Sequence, residues 1–172
     1  MKTKKTTFLG LMVSYSLVLY IIETYIPNPL ITLFPGAKLG LSNIITLVSL
    51  ITLGIKDTCV ILTVRIILSS IFAGPISYLL FSIAGAYLSL ICMYISSKMK
   101  GISLIGVSII GAIGHNVGQL LVASLIVENI NMLGYLPFMF ITSLITGVFV
   151  GIVSMYCCNK LAIYSKSLID KE

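Results

Sequence analysis

ISLIGVSIIGAIGHNVGQLLVASLIV, residues 102–127, runs its whole length without an Asp, Glu, Lys or Arg. About 20 apolar residues in a helix cross the ~30 Å hydrocarbon core of a bilayer, so this stretch reads as a membrane span. In its middle stand His115, Asn116 and Gln119. Polar side chains at that depth are costly and face a cavity or a partner rather than lipid. One stretch thus carries both the fold class and the first candidates for function.

The chain on either side repeats the pattern. Of 172 residues, 58% are hydrophobic and 9% charged, a composition outside that of soluble domains. Six apolar segments are predicted as helices, at about 7–26, 38–54, 57–72, 75–97, 102–127 and 136–156. Pro27-Asn28-Pro29, Lys56-Asp57, Gly74-Pro75 and Lys98-Met99-Lys100-Gly101 mark breaks between them, with Asp57 expected as an N-cap and Pro75 in a first turn. The expectation is one domain over residues 1–172, an all-α integral membrane bundle of six transmembrane helices. Met1–Lys5 ahead of an apolar run also resembles a signal peptide, but no small-residue cleavage site follows, so the first helix is expected to be retained.

The lysines orient this bundle. With the N-terminus inside, Lys2, Lys4, Lys5, Lys56, Lys98, Lys100, Lys160, Lys166 and Lys171 fall on the cytoplasmic side and only Lys38 on the other. The positive-inside bias then places both termini in the cytoplasm of a multi-pass protein of a bacterial cell membrane. The same clustering accounts for the net charge of +6 without nucleic acid. Cys59, Cys92, Cys157 and Cys158 fall toward that reducing side and lack metal-ligand spacing, so they read as small hydrophobes. No metal, cofactor or catalytic grouping is expected: the single histidine has no acid or nucleophile at readable spacing, and no GxxxxGK[ST] loop is present.

Depth then separates the polar residues. A rise of ~1.5 Å per residue puts Arg65 ~12 Å beyond Asp57 and His115 ~21 Å beyond Gly101, with Gln119 one turn higher on the same face. Glu23, Lys38, Asn43, His115, Asn116, Gln119 and Glu128 all fall in the outer half, with Arg65 beneath them. Their agreement in depth predicts an outward-facing pocket over a closed floor. Taken singly, Arg65 reads equally as a ligand contact or an ion-pair partner of Glu23. His115 suits either ligand or a backbone carbonyl, Asn43 reads also as a helix-end cap, and Glu128 as interfacial.

Small residues mark close contacts between helices in lipid. Gly111, Gly114 and Gly118 form one stripe, Gly147 and Gly151 another, and both read as packing inside the bundle. Thr6, Gly10 and Ser14 lie four apart near the cytoplasmic end of the first helix, where a membrane partner has access.

The run Pro35-Gly36-Ala37-Lys38-Leu39-Gly40-Leu41-Ser42-Asn43 resembles the PGxKLGLxN signature of the Gx transporter family, also labelled heptaprenyl diphosphate synthase component I. Gly111–Gln119 is similar to that family's HNxGQ segment, and Glu23, Arg65 and Gly147/Gly151 fit as well. The resemblance implies kinship with substrate-binding (S) components of energy-coupling factor transporters, which capture vitamins and similar micronutrients from outside. It further implies docking, through small residues of the first helix, onto a transmembrane coupling subunit and two ATPases that supply the energy. Alanine is more usual than Thr6, Gly10 and Ser14 in that docking pattern.

The synthase label has no catalytic counterpart, since magnesium–diphosphate chemistry needs clustered carboxylates and the chain has only Asp57 and Asp170 as aspartates. The expected function is therefore non-enzymatic capture of a small molecule. Lys38, Arg65 and His115 suit an anionic or strongly polar group, and Asn43, Asn116 and Gln119 supply directed hydrogen bonds. An isoprenoid or quinone precursor would fit the label. Two other readings are a stand-alone ion-coupled transporter and a non-catalytic membrane subunit tied to prenyl-diphosphate synthesis or a redox complex.

Overall fold

The computed structural model describes residues 2–26, 40–72 and 77–169. Every regular element among them is helical: α1 (Lys2–Tyr25), α2 (Asn43–Leu53), α3 (Ile55–Phe72), α4 (Ser77–Ser97), α5 (Leu104–Ile126) and α6 (Leu136–Ile169), with a 3-10 turn (Ile130–Tyr135) before α6. Helices α1, α4, α5 and α6 have the length and hydropathy to cross a bilayer, as the composition requires of a membrane protein. The other two differ. At 11 residues α2 extends ~16 Å, about half the hydrocarbon core. Helix α3 has 18 residues but carries Lys56, Asp57 and Arg65.

Four boundaries move from their expected positions. Helix α1 begins at Lys2 rather than about 7, and α2 begins at Asn43, after the turn at residues 40–42, rather than about 38. The end of α6 and the start of α3 shift as well. No Gly or Pro follows residue 156 to stop α6, which continues to Ile169. Asp57 is not an N-cap: α3 begins at Ile55, directly after Gly54, whose φ of +83° ends α2. Asp57 sits inside the first turn instead, where it favours the positive end of the helix dipole. Its Oδ2 meets Lys5 Nζ at 2.9 Å and clips α1 to α3. Lys5 is 58% exposed there, so Asp57→Asn is expected to cost at most about 1 kcal/mol in a thermal melt in detergent. Pro75 lies outside the described residues.

Lipid offers no hydrophobic drive for helices to associate, and close backbone contact takes its place. Helix α5 lies between α4 and α6. A Cβ at Gly118 would stand 2.5 Å from the Ala84 carbonyl oxygen, and one at Gly114 3.1 Å from that of Leu88. On the α6 side, Gly147 meets Ile109 Cα at 2.6 Å and Gly151 meets Ile105 Cα at 2.8 Å, measured the same way. Helices α1, α2 and α3 complete the bundle, α2 resting against both α3 and α6. Leu47, Leu62, Leu90 and Met93 knit α2, α3 and α4 in a buried cluster with Val107 of α5.

Among the described residues, no such close contact meets Gly10 of the α1 stripe. Thr6, Gly10 and Ser14 are exposed, and a Cβ on Gly10 would meet nothing within 4 Å. The Lys5–Asp57 pair, the turn bearing Lys98 and Lys100, and Lys160 of α6 gather at one end of the bundle. Leu161 packs with Phe8 and Ile61, and Gly151 on Ile105, which brings these segments together. We call this the basic end.

Candidate functional site: a buried polar chamber

Away from the basic end, Glu23 is eighteen residues beyond Lys5, hence ~27 Å along α1. Its carboxylate is 4% exposed, and a charge so buried persists only with partners. Two of those partners are backbone. The N–H groups of Gly40 and Leu41 donate one to each carboxylate oxygen, Leu41 at 3.1 Å. Gly40 takes φ +82°, a conformation that glycine adopts without strain and that turns its N–H toward Glu23. Asn43 packs against this turn, its Nδ2 3.0 Å from where a Gly40 Cβ would stand. The acid of one helix thereby fixes the turn leading into the next.

Arg65 closes the floor. It is 2% exposed, and its Nη1 donates to Ser42 Oγ at 2.8 Å. Its guanidinium lies 5.6 Å from the centroid of the Tyr20 ring, within cation–π range. Glu23 lies within electrostatic reach of it. Nε of Arg65 has no hydrogen-bond partner among the described residues.

His115 and Gln119 enter from α5, 6% and 3% exposed, one turn apart on a shared face. Their close approach depends on Gly85 of α4, where a Cβ would stand 3.0 Å from Gln119 Cγ and 3.1 Å from His115 Cε1. With Ser82 of α4 these groups line one small chamber together with Tyr20, Glu23, Gly40, Ser42 and Arg65. Its enclosed room is about that of one water molecule. A bulkier molecule would need the walls to part.

The sequence-predicted residues therefore divide. Glu23, Arg65, His115 and Gln119 meet at the chamber. Asn43 supports the turn beside it. Asn116 points elsewhere: its Nδ2 donates to Ser143 Oγ at 2.8 Å and to the Met139 carbonyl at 3.4 Å, joining α5 to α6. Lys38 lies outside the described residues. Glu128 follows α5 at φ +52° and is exposed, away from the chamber. Sequence reasoning passed over Tyr20, Ser42, Ser82 and Gly85. Tyr20 stands three residues before Glu23 and Ser42 beside Asn43, so spacing offered a hint for those two; Ser82 and Gly85 carried none.

Chemically the chamber pairs one buried cation with one buried anion and surrounds them with hydroxyl, amide and imidazole groups. Because Glu23 offsets Arg65, it favours a neutral or zwitterionic polar group over a lone anion. Among the described residues no group of three or more His, Cys, Asp or Glu is placed to hold a metal ion.

A helical membrane protein with a polar chamber among its helices is the class that this geometry defines. The chain belongs to the heptaprenyl diphosphate synthase component I family, whose model matches residues 12–157 and so spans every chamber residue. No curated protein and no solved structure matches it.

Proposed function

We propose that the chain is the substrate-capture (S) component of an energy-coupling factor-type transporter, non-catalytic itself, that binds a small polar micronutrient or precursor for ATP-driven uptake. The chamber carries this reading: Arg65 and Glu23, both buried and within electrostatic reach of each other, are with His115 and Gln119 expensive to maintain in a bilayer, and such groups mark ligand or ion pathways. The exposed Thr6-Gly10-Ser14 face of α1 supports docking onto a coupling subunit, since a small-residue face in lipid admits a second helix. In this orientation both termini are cytoplasmic and the chamber opens outward.

Mass spectrometry of small molecules released from gently purified protein tests the reading. A polar metabolite is expected from the wild type and should fall at least about tenfold in His115→Ala or Gln119→Ala, the loss of a directed buried hydrogen bond. Equal recovery from both variants would remove the chamber as the binding site. Uptake into vesicles that contain no ATPase would replace an S component with an ion-coupled transporter.

The family's description favours one further reading, a non-catalytic membrane subunit of prenyl-diphosphate synthesis. Co-purification with a soluble prenyl transferase, with no metabolite in the chamber, is the outcome that selects it.

A further inference from the structure

A groove on the flank of the bundle, between α1, α2 and α6, lies outside the chamber and its chemistry. Met12 and Leu19 of α1, Val48 of α2, and Val153 and Leu161 of α6 bound a space of about 430 Å³. That volume is within the range of small-molecule sites, roughly 300–1,000 Å³. The wall surface facing this space is apolar, although Tyr15, Tyr156 and Lys160 contribute to it. From Val153 to Leu161 it follows α6 for eight residues, ~12 Å, close to the ~15 Å depth of one leaflet.

Lys160 stands at the end of this groove, on the basic end of the bundle, and contributes to its wall. Its Nζ lies 5.5 Å from the centroid of the Tyr156 ring, which also lines the groove. Long cationic side chains lay their methylenes along apolar surface and hold the charge at the interface. An apolar slot of one leaflet's depth with a cation at its interfacial end is complementary to an amphiphile with an anionic head.

We propose that the groove binds one acyl chain of an anionic phospholipid from the leaflet at the basic end, with its phosphate at Lys160. Lys98 supplies an internal control. Its Nζ lies 5.5 Å from the Tyr94 ring, the same stacking, but it does not border the groove.

The test is native mass spectrometry of the full chain in detergent, titrated with phosphatidylglycerol or with phosphatidylcholine of identical chains. Phosphatidylglycerol is expected to be retained about fivefold better, the worth of one lysine beside an anionic head group. Lys160→Gln should abolish that preference and Lys98→Gln should keep it. Val153→Trp, which fills the slot, should reduce retention of both lipids, with helical circular dichroism as the check on folding. Three results would each overturn the proposal: equal retention of the two lipids by the wild type, equal loss of preference in both lysine variants, or unchanged retention in well-folded Val153→Trp. Competition by soluble glycerol phosphate as effective as that by the whole lipid would also overturn it, because the groove would then contribute nothing. Displacement of phosphatidylglycerol by equimolar farnesyl diphosphate would assign the groove to a prenyl chain instead.

Discussion

Arg65→Ala is expected to destabilise the protein by about 3 kcal/mol or more, because it leaves the buried Glu23 carboxylate without the cation within electrostatic reach that offsets it. The residue is 2% exposed and Glu23, its counter-charge, 4%. Removing the guanidinium takes the nearby positive charge from a carboxylate that accepts from the Gly40 and Leu41 N–H groups, and takes from Ser42 Oγ the Arg65 donor. Glu23→Gln is expected to be severe as well. An amide presents an NH₂ where the carboxylate accepted a backbone N–H, and the Arg65 charge loses its offset. The Arg65→Ala/Glu23→Gln double variant should be milder than the sum of the two, by at least about 1 kcal/mol of coupling. Unfolding in mixed micelles, followed by circular dichroism, measures all four states. Additivity within about 0.5 kcal/mol would mean that Arg65 and Glu23 act independently.

Gly118→Ala is the second large effect. The added methyl would stand 2.5 Å from the Ala84 carbonyl oxygen and 2.8 Å from its carbonyl carbon. Both atoms are backbone, so neither can rotate away. Helices α4 and α5 must separate, and overpacking of this kind costs about 1–3 kcal/mol or more. Separation also draws Gln119 and His115 away from Gly85, so ligand retention should fall along with stability. Gly10→Ala is the matched comparison. Nothing lies within 4 Å of its Cβ position, and removing a glycine from a helix gains up to about 1 kcal/mol. Gly10→Ala should therefore leave the isolated protein as stable as wild type or more so. Any weakening of assembly with a coupling subunit would then report docking alone. Equal melting temperatures for Gly118→Ala and wild type would sink the close α4–α5 contact.

Much of the architecture was legible because lipid imposes simple rules. Uninterrupted apolar runs had to be helices, since a backbone in hydrocarbon must satisfy its own hydrogen bonds. The lysine clusters are expected at helix ends; Lys5 and Lys98 lie there, whereas Lys160 lies inside α6, nine residues before its end. Depth along a helix is arithmetic, which is why Glu23, His115 and Gln119 could be placed in one half of the bundle, with Arg65 beneath them, from the sequence. Helix ends were less legible. Residue 156 is expected from the sequence to end the sixth helix, yet nothing after it stops the helix before Ile169. Asp57 has the chemistry of an N-cap, but Gly54 at φ +83° ends α2 so abruptly that α3 starts two residues earlier.

Depth alone does not determine which way a side chain turns. Asn116 and His115 are neighbours in sequence and level, but a helix rotates them ~100° apart. Asn116 reaches Ser143 on α6 while His115 faces α4. The sequence by itself determined a membrane bundle, a basic end and a polar level within it, because solvation acts on residue type and position along the chain. Only the tertiary structure decided which polar groups share a chamber, that Glu23 takes the N–H groups of Gly40 and Leu41, and that α1 keeps Gly10 open while Gly118 is closed against α4. Those outcomes depend on the rotation and spacing of whole helices, set by close backbone contact between residues far apart in the chain.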